Sequence, residues 1–147
     1  LFTVNPYSKN LCRAIVKAPK VYFFDNGEVH NDDGAKFENL VANHLLKRLH
    51  FLQDSTGDKY ELNYVRDKQG HEIDFLIVRN RKPMMLIEAK LSDATRSNSM
   101  YYFREKLKVT KCLQLVMNLD KESTRDHILV TPAFDWLSRP LTADLFS

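Results

Sequence analysis

The sequence predicts an α/β domain in which helices flank a central mixed β-sheet. Apolar residues recur with a helical period, then in three short runs separated by turns, and then in a second helical pattern followed by a further run; these segments are residues 35–50, 60–66, 71–79, 84–90, 92–108 and 111–117. The order helix, strand, strand, strand, helix, strand indicates an αβββαβ core around one sheet.

Length and composition are those of one ordinary domain. The 147 residues, 44% of them hydrophobic, suffice to bury a core. The formal charge of +3 and a pI near 8.8 are compatible with a nucleic-acid partner but do not indicate one. The sequence contains no membrane-spanning run, and Cys12 and Cys112 are predicted to be free thiols, so we expect a cytoplasmic protein without a membrane partner.

The first 34 residues are predicted to be an extension or linker, and residues 35–147 the domain. The chain opens with Leu1, and we expect it to be a fragment of a longer polypeptide. Ser8 can cap a short helix that reaches residue 17, residues 21–24 favour an extended segment, and residues 31–34 form a polar loop.

The first core helix is predicted over residues 35–50. Its apolar residues form a wide arc, namely Phe37, Leu40, Val41, Ala42, Leu45, Leu46 and Leu49. Lys36, Asn39, Asn43 and Lys47 fall on the opposite side, where solvent is expected. Glu38 projects inside the apolar arc, and we therefore expect it to face the sheet.

The remaining elements follow from apolar runs and turn residues. Gly70 allows a tight turn between the first two strands of a hairpin, and residues 80–83 form the next turn. The second helix is predicted to begin near Ser92 or Thr95. A last strand is expected at residues 127–131, a short helical turn at 134–137, and a tail thereafter.

Three charged residues interrupt the apolar strands. Asp74 lies within the run at residues 73–78, while Glu88 and Lys90 close the run at residues 84–90. A charge inside a buried strand costs several kcal/mol unless it is paired or binds a metal. Side chains two residues apart share a face, so Glu88 and Lys90 share one, and Asp74 is expected to share its face with Leu76 and Val78.

The predicted convergence of these acids with Glu38 indicates a metal site. Carboxylates gathered in a low dielectric repel each other, and a divalent cation removes the repulsion. Hard oxygen ligands suit Mg²⁺ or Mn²⁺ better than Zn²⁺. Lys90 could orient or deprotonate a water molecule, or stabilise charge that develops on a phosphate.

The arrangement resembles the PD-(D/E)XK nuclease superfamily, which has the restriction-endonuclease-like fold. Several stretches are similar, more narrowly, to the uncharacterised C-terminal domain that follows the AAA-type ATPase module in many prokaryotic ATPases; they are residues 20–25, 37–42, 64–75 and 86–90. The resemblance extends over about residues 6–137. The proline that precedes the aspartate in the superfamily is Ile73 here.

The resemblance implies both a role for each site residue and a context for the domain. Asp74 and Glu88 would bind Mg²⁺ or Mn²⁺, Lys90 would be the catalytic lysine, and Glu38 the accessory acid. The implied activity is hydrolysis of DNA phosphodiester bonds. The implied partner is an N-terminal ATPase domain of the same polypeptide, where ATP would bind, because no GxxxxGK[ST] loop occurs in these residues.

Other interpretations of the same residues stay open. Glu88 and Lys90 could form an exposed pair at a strand end, and Glu38 could bind a backbone amide or Arg66. Arg66, His71 and Arg96 are candidates for contacts with nucleic acid, although basic residues at turns are usually solvated. The domain could also be a catalytically silent module that binds nucleic acid, a protein or the ATPase core, and homo-oligomers are open as well.

Overall fold

The computed structural model describes residues 1–8, 18–30, 32–140 and 142. Apart from Ser8, the helix predicted to reach residue 17 lies outside these residues, as do Cys12 and residues 141 and 143–147 of the predicted tail. The described elements are, in order, β1 (Phe2–Pro6), β2 (Lys20–Tyr22), α1 (Asp33–Thr56), β3 (Tyr60–Arg66), β4 (Glu72–Arg79), β5 (Lys82–Lys90), α2 (Asn98–Leu107), β6 (Lys111–Val116), β7 (Ser123–Arg125), β8 (Ile128–Pro132) and α3 (Ala133–Ser138).

The described strands form one eight-stranded mixed sheet. Its order is β2-β1-β3-β4-β5-β6-β8-β7. Strands β3, β4 and β5 form an antiparallel meander, and β5, β6 and β8 run parallel to one another. The element order α1-β3-β4-β5-α2-β6 confirms the predicted sequence of helices and strands. Residues of the expected extension join the same sheet, because β1 pairs with β3 and β2 pairs with β1.

Helices cover both faces of the sheet. Side chains of β4 alternate between two cores: Phe75 and Ile77 pack with residues of α1, while Leu76 and Val78 pack with residues of α2. Helix α3 lies on the α1 side, where Trp136 joins the larger core. No helix in the described part of the chain is long and apolar enough to span a membrane.

Helix α2 begins later than predicted, at Asn98 instead of near Ser92 or Thr95. The intervening residues form a loop held by polar contacts. The Asp93 side chain accepts a hydrogen bond from the Thr95 N–H at 2.8 Å, and the buried Gln114 amide donates to the carbonyls of Asp93 and Thr95 at 3.1 and 2.9 Å. These contacts provide an alternative to helical hydrogen bonding.

Helix α1 is longer than predicted and buries one side chain that was expected in solvent. It ends at Gly57, whose φ of 77° suits glycine. Asn39 is only 2% exposed, because the segment after β2 packs over it. The Phe23 N–H donates to Asn39 Oδ1 at 2.8 Å, and the Asn39 amide donates to the Phe23 carbonyl at 3.0 Å. These two bonds attach the segment that follows β2 to α1.

Strands β1 and β7 are absent from the sequence-based prediction. In β1 only Val4 is buried, and in β7 all three residues are exposed, so neither strand shows the apolar pattern that indicates a strand. Both form because a neighbouring strand offers an unpaired edge.

Candidate functional site

An irregularity in β4 positions Asp74. In the pairing with β3, Asn63 lies opposite Leu76 and Val65 lies opposite Ile73. One residue of β3, Tyr64, therefore faces two residues of β4, Asp74 and Phe75, which defines a β-bulge. The sequence had suggested that Asp74 shares a face with Leu76 and Val78. The bulge changes the alternation of side chains, and Asp74 does not lie on that face.

Asp74 lies where β4 and β5 separate. The described pairing between the two strands ends at Phe75 and Ile87. Beyond that point Asp74 Oδ2 accepts a hydrogen bond from the Ala89 N–H at 2.9 Å. The carboxyl thereby replaces a backbone acceptor, and it holds β5 close to β4 at the site.

Glu88 and Lys90 complete the part of the site formed by β5. The Glu88 and Asp74 carboxyls are close enough for each to influence the pKa of the other. Lys90 Nζ is 3.9 Å from Glu88 Oε1, with 38% of the Lys90 side chain exposed against 8% for Glu88. Glu88 Oε2 is buried, and no described N–H or O–H group donates a hydrogen bond to it. The site thus has a buried Glu88 oxygen that accepts no described hydrogen bond, next to the partly exposed ammonium group of Lys90.

Glu38 reaches the site from α1, as predicted, but protein groups already bind its carboxylate. The Tyr22 hydroxyl donates to Glu38 Oε1 at 2.6 Å, and Lys20 Nζ lies 3.4 Å from the same oxygen. These contacts replace the alternative partner considered from the sequence, Arg66, which binds Glu72 through Nε at 2.7 Å.

Sequence reasoning missed Lys20, Tyr22 and Glu72 as members of the site. Lys20 Nζ lies 2.7 Å from Glu72 Oε1 and 3.8 Å from Asp74 Oδ1, in addition to its contact with Glu38. Lys20 and Tyr22 are two residues apart on β2, so the alternation of a strand brings both to one face. That spacing was visible in the sequence, but the pairing of β2 with a distant part of the chain was not.

Burial and repulsion from neighbouring carboxylates raise the pKa values of the Asp74 and Glu88 carboxyls. Burial raises the pKa of Asp74 to about 6, and the charge of Glu38 adds to the rise. Burial also raises the pKa of Glu88 to about 9, with a further contribution from Asp74. The two carboxyls therefore titrate as a coupled pair that retains a proton at neutral pH.

The charges of Lys20 and Glu72 are favoured instead. Burial lowers the pKa of Lys20, but the carboxylates of Glu38, Glu72 and Asp74 outweigh this effect and raise it above its usual value. Burial alone would raise the pKa of Glu72. The hydrogen bonds from Lys20 and Arg66, together with their charges, have the larger combined effect, so the pKa of Glu72 is below its usual value. Lys20 thus supplies the positive charge among three of the carboxylates.

The donor set fits a hard cation in part. Asp74 and Glu88 provide adjacent carboxyl oxygens, and Mg²⁺ is commonly held by one or two carboxylates together with a substrate phosphate. Among the described residues, however, no three side chains from His, Cys, Asp and Glu are arranged to hold one ion. Glu38 is bound to Tyr22 and Lys20, so the metal role proposed for all three acids stays a prediction.

The three candidate residues for nucleic-acid contact are all engaged within the protein. Arg66 pairs with Glu72, with Nη2 2.6 Å from Oε2. His71 Nδ1 lies 2.7 Å from Asp67 Oδ2, and its ring stacks on Tyr102 with centroids 4.1 Å apart. Arg96 donates to the carbonyl of Ser123 at 3.3 Å. Their proposed contacts with nucleic acid therefore stay a prediction.

The fold and the cluster of acids define an α/β domain with a buried carboxyl pair at a strand separation. The chain belongs to the family described as "Domain of unknown function (DUF4143)", whose model matches residues 33–136. The match includes Glu38, Asp74, Glu88 and Lys90, while Lys20 lies before it. Comparison with curated proteins found no match, and comparison with solved structures found none either.

Proposed function

We propose that this domain has a restriction-endonuclease-like core and hydrolyses phosphodiester bonds of DNA with the help of Mg²⁺ or Mn²⁺. The order α1-β3-β4-β5-α2-β6 around a mixed sheet supports the fold assignment. We further propose that the domain follows an ATPase module in its parent polypeptide and that ATP binds there. The support for that context is the sequence resemblance alone.

The observation that carries the proposal is the convergence of Asp74, Glu88 and Lys90 where β4 and β5 separate. The two carboxyls influence each other's pKa, and Glu88 has a buried oxygen that accepts no described hydrogen bond and so has unused capacity to bind a cation. Asp74 and Glu88 would hold the cation, which supplies Lewis-acid polarisation of a phosphate when bound. A cation would also relieve the repulsion between the two carboxyls.

We assign to Lys90 the role of orienting the water molecule that attacks the phosphate. Its ammonium group is close to Glu88 and partly exposed, so it can reach both the carboxyl pair and a substrate in solvent. A positive charge at this position orients a water molecule toward phosphorus and stabilises the negative charge that develops during attack. Glu38 would support the site through its hydrogen bond from Tyr22.

A second candidate function is a catalytically silent binding module. Lys20 favours it, because its ammonium group already contacts the carboxylates of Glu38, Glu72 and Asp74 at distances between 2.7 and 3.8 Å. A lysine in that position can neutralise the acids without a metal. The module would then use the same fold to bind nucleic acid, a protein or an ATPase core.

Calorimetric titration with Mn²⁺ and a cleavage assay on plasmid DNA separate the two functions. For the nuclease we expect cation binding that is lost in Asp74→Asn, and cleavage that is lost in Asp74→Ala and Lys90→Ala while folding is retained. Glu61→Gln is the matched control, because the Glu61 side chain is 40% exposed, lies outside the site and pairs with Lys59. Cleavage that persists in both alanine variants contradicts the assignment, and absence of cation binding by the wild type supports the silent module.

A further inference from the structure

A second charged site lies at the opposite end of the sheet. A cavity of about 290 Å³ opens where β4 ends, β5 begins, and the chain passes from α2 into β6. It is lined by Arg79, Lys82, Pro83, Met84, Lys108, Thr110 and Lys111. Lys82 and Lys90 are the two ends of β5, so at about 3.3 Å per residue this cavity is roughly 26 Å from the acidic site.

Among the described residues that line it, the cavity brings together four basic side chains and no acidic one. Within the described residues, Arg79, Lys82 and Lys108 make no ion pair with a carboxylate, whereas Lys20 and Arg66 near the acidic site pair closely. Like charges that share a pocket repel each other, which disfavours this arrangement unless an anion binds among them. The negative end of the α2 dipole favours a positive charge at Lys108. It does not account for Arg79 or Lys82, which lie on β4 and β5.

The backbone next to the cavity provides an independent argument. Arg81, in the turn between β4 and β5, has φ of 67°, and Lys108, which ends α2, has φ of 54°. Both positions are left-handed, where glycine is the default because other residues carry a steric cost. The chain nevertheless has a basic residue at each of them, and one of the two, Lys108, lines the cavity itself; the other left-handed residues, Asn80, Asp126 and His127, do not line it.

We propose that this basic pocket binds a phosphate group of an anionic ligand. Arg79 can bind two phosphate oxygens at once, Lys82 and Lys108 add point charges, and the Thr110 hydroxyl adds a donor. The part of the lining that the structure describes has no aromatic ring on which a base could stack, so the recognised part is the phosphate. The phosphate belongs either to a nucleic-acid backbone or to a free pyrophosphate group, and the proposal does not depend on nuclease activity.

Binding of inorganic pyrophosphate and of a short duplex DNA at physiological salt tests the proposal. Each charge-assisted contact that is lost weakens phosphate binding by roughly tenfold, so we expect Lys82→Gln and Lys108→Gln each to raise Kd by about that factor. Lys68→Gln is the control, because Lys68 is an exposed residue in the turn before β4, at the acidic end of the sheet. It removes the same charge, and we expect less than a twofold change in Kd.

Lys108→Gly separates binding from folding. Glycine suits the left-handed backbone, so this variant should melt at the same temperature as the wild type or higher, and yet lose binding as Lys108→Gln does. Pyrophosphate binding identifies a free phosphate as sufficient, while binding of the duplex alone identifies the nucleic-acid backbone. The proposal is overturned if the wild type binds neither probe, or if the Lys82 and Lys108 variants bind as tightly as Lys68→Gln.

Discussion

The buried carboxyl pair makes a specific prediction for stability: Glu88→Gln should stabilise the protein at neutral and alkaline pH. Glutamine has nearly the same shape as the protonated glutamic acid, and its amide can donate to Asp74. The substitution removes a group whose negative charge is opposed by burial and by Asp74. The gain in stability should accompany loss of any cation binding, since glutamine is a poorer ligand for Mg²⁺.

The magnitude follows from the proton that the native state must retain. At pH 7 the unfolded carboxyl is ionised, because pH 7 lies about 2.5 units above its ordinary pKa of 4.5, whereas the folded carboxyl is protonated. Each unit is worth about 1.4 kcal/mol, so the penalty on folding at pH 7 is at most about 3.5 kcal/mol. Structural relaxation reduces it, and we expect Glu88→Gln to raise the unfolding free energy by about 1–3 kcal/mol.

The pH dependence distinguishes this cause from general repacking. A raised pKa in the folded state means that the wild type binds more protons when folded, so its stability falls as pH rises between about 4.5 and 9. The gain from Glu88→Gln should therefore vanish below that window and grow toward its upper end. Urea denaturation at several pH values measures it, with Glu61→Gln as a partly exposed control expected to change stability by less than about 0.5 kcal/mol. A destabilised variant, or a gain that does not change with pH, refutes the reasoning.

Three further predictions concern the contacts that hold the site and the core. Lys20→Met should lower the unfolding free energy by about 1–3 kcal/mol above pH 5, and by less as the carboxylates protonate below pH 4; thermal melts across this range check it. Asn39→Ala should cost about 2 kcal/mol in urea denaturation, because it leaves the Phe23 N–H without its partner while the Asn43 amide still donates to the Phe23 carbonyl; Asn118→Ala on the surface should be nearly neutral. Met100→Ala should cost about 2–5 kcal/mol by the same measurement, because Met100 is fully buried against the α2 face of the sheet.

The central strands could be predicted from the sequence because they bury side chains toward both helical layers. Their apolar runs are continuous, and a charge inside such a run is conspicuous, as at Asp74 and Glu88. The contribution of Glu38 also followed from local pattern, since its position in a helical turn places it beside the apolar arc.

The remainder depended on contacts between distant parts of the chain. Lys20 lies 18 positions from Glu38 and still farther from Glu72 and Asp74, and nothing near it in sequence marks its strand as a partner of the sheet. The burial of Asn39 similarly depends on the segment that crosses it. In α2, a loop stabilised by side-chain hydrogen bonds displaced the helix start, although the helical pattern of the sequence extended farther back.

The extra residue in β4 has a consequence for how related sequences are compared. Opposite Tyr64, a regular strand would offer a single place on the α1 side, which either an aromatic ring or an acid could fill. Here Phe75 supplies the ring and Asp74 the acid, and one regular residue pair between β3 and β4 is lost. A relative with one residue fewer between Ile73 and Leu76 must therefore forgo one of the two, and an alignment gap at this point is as informative as a substitution.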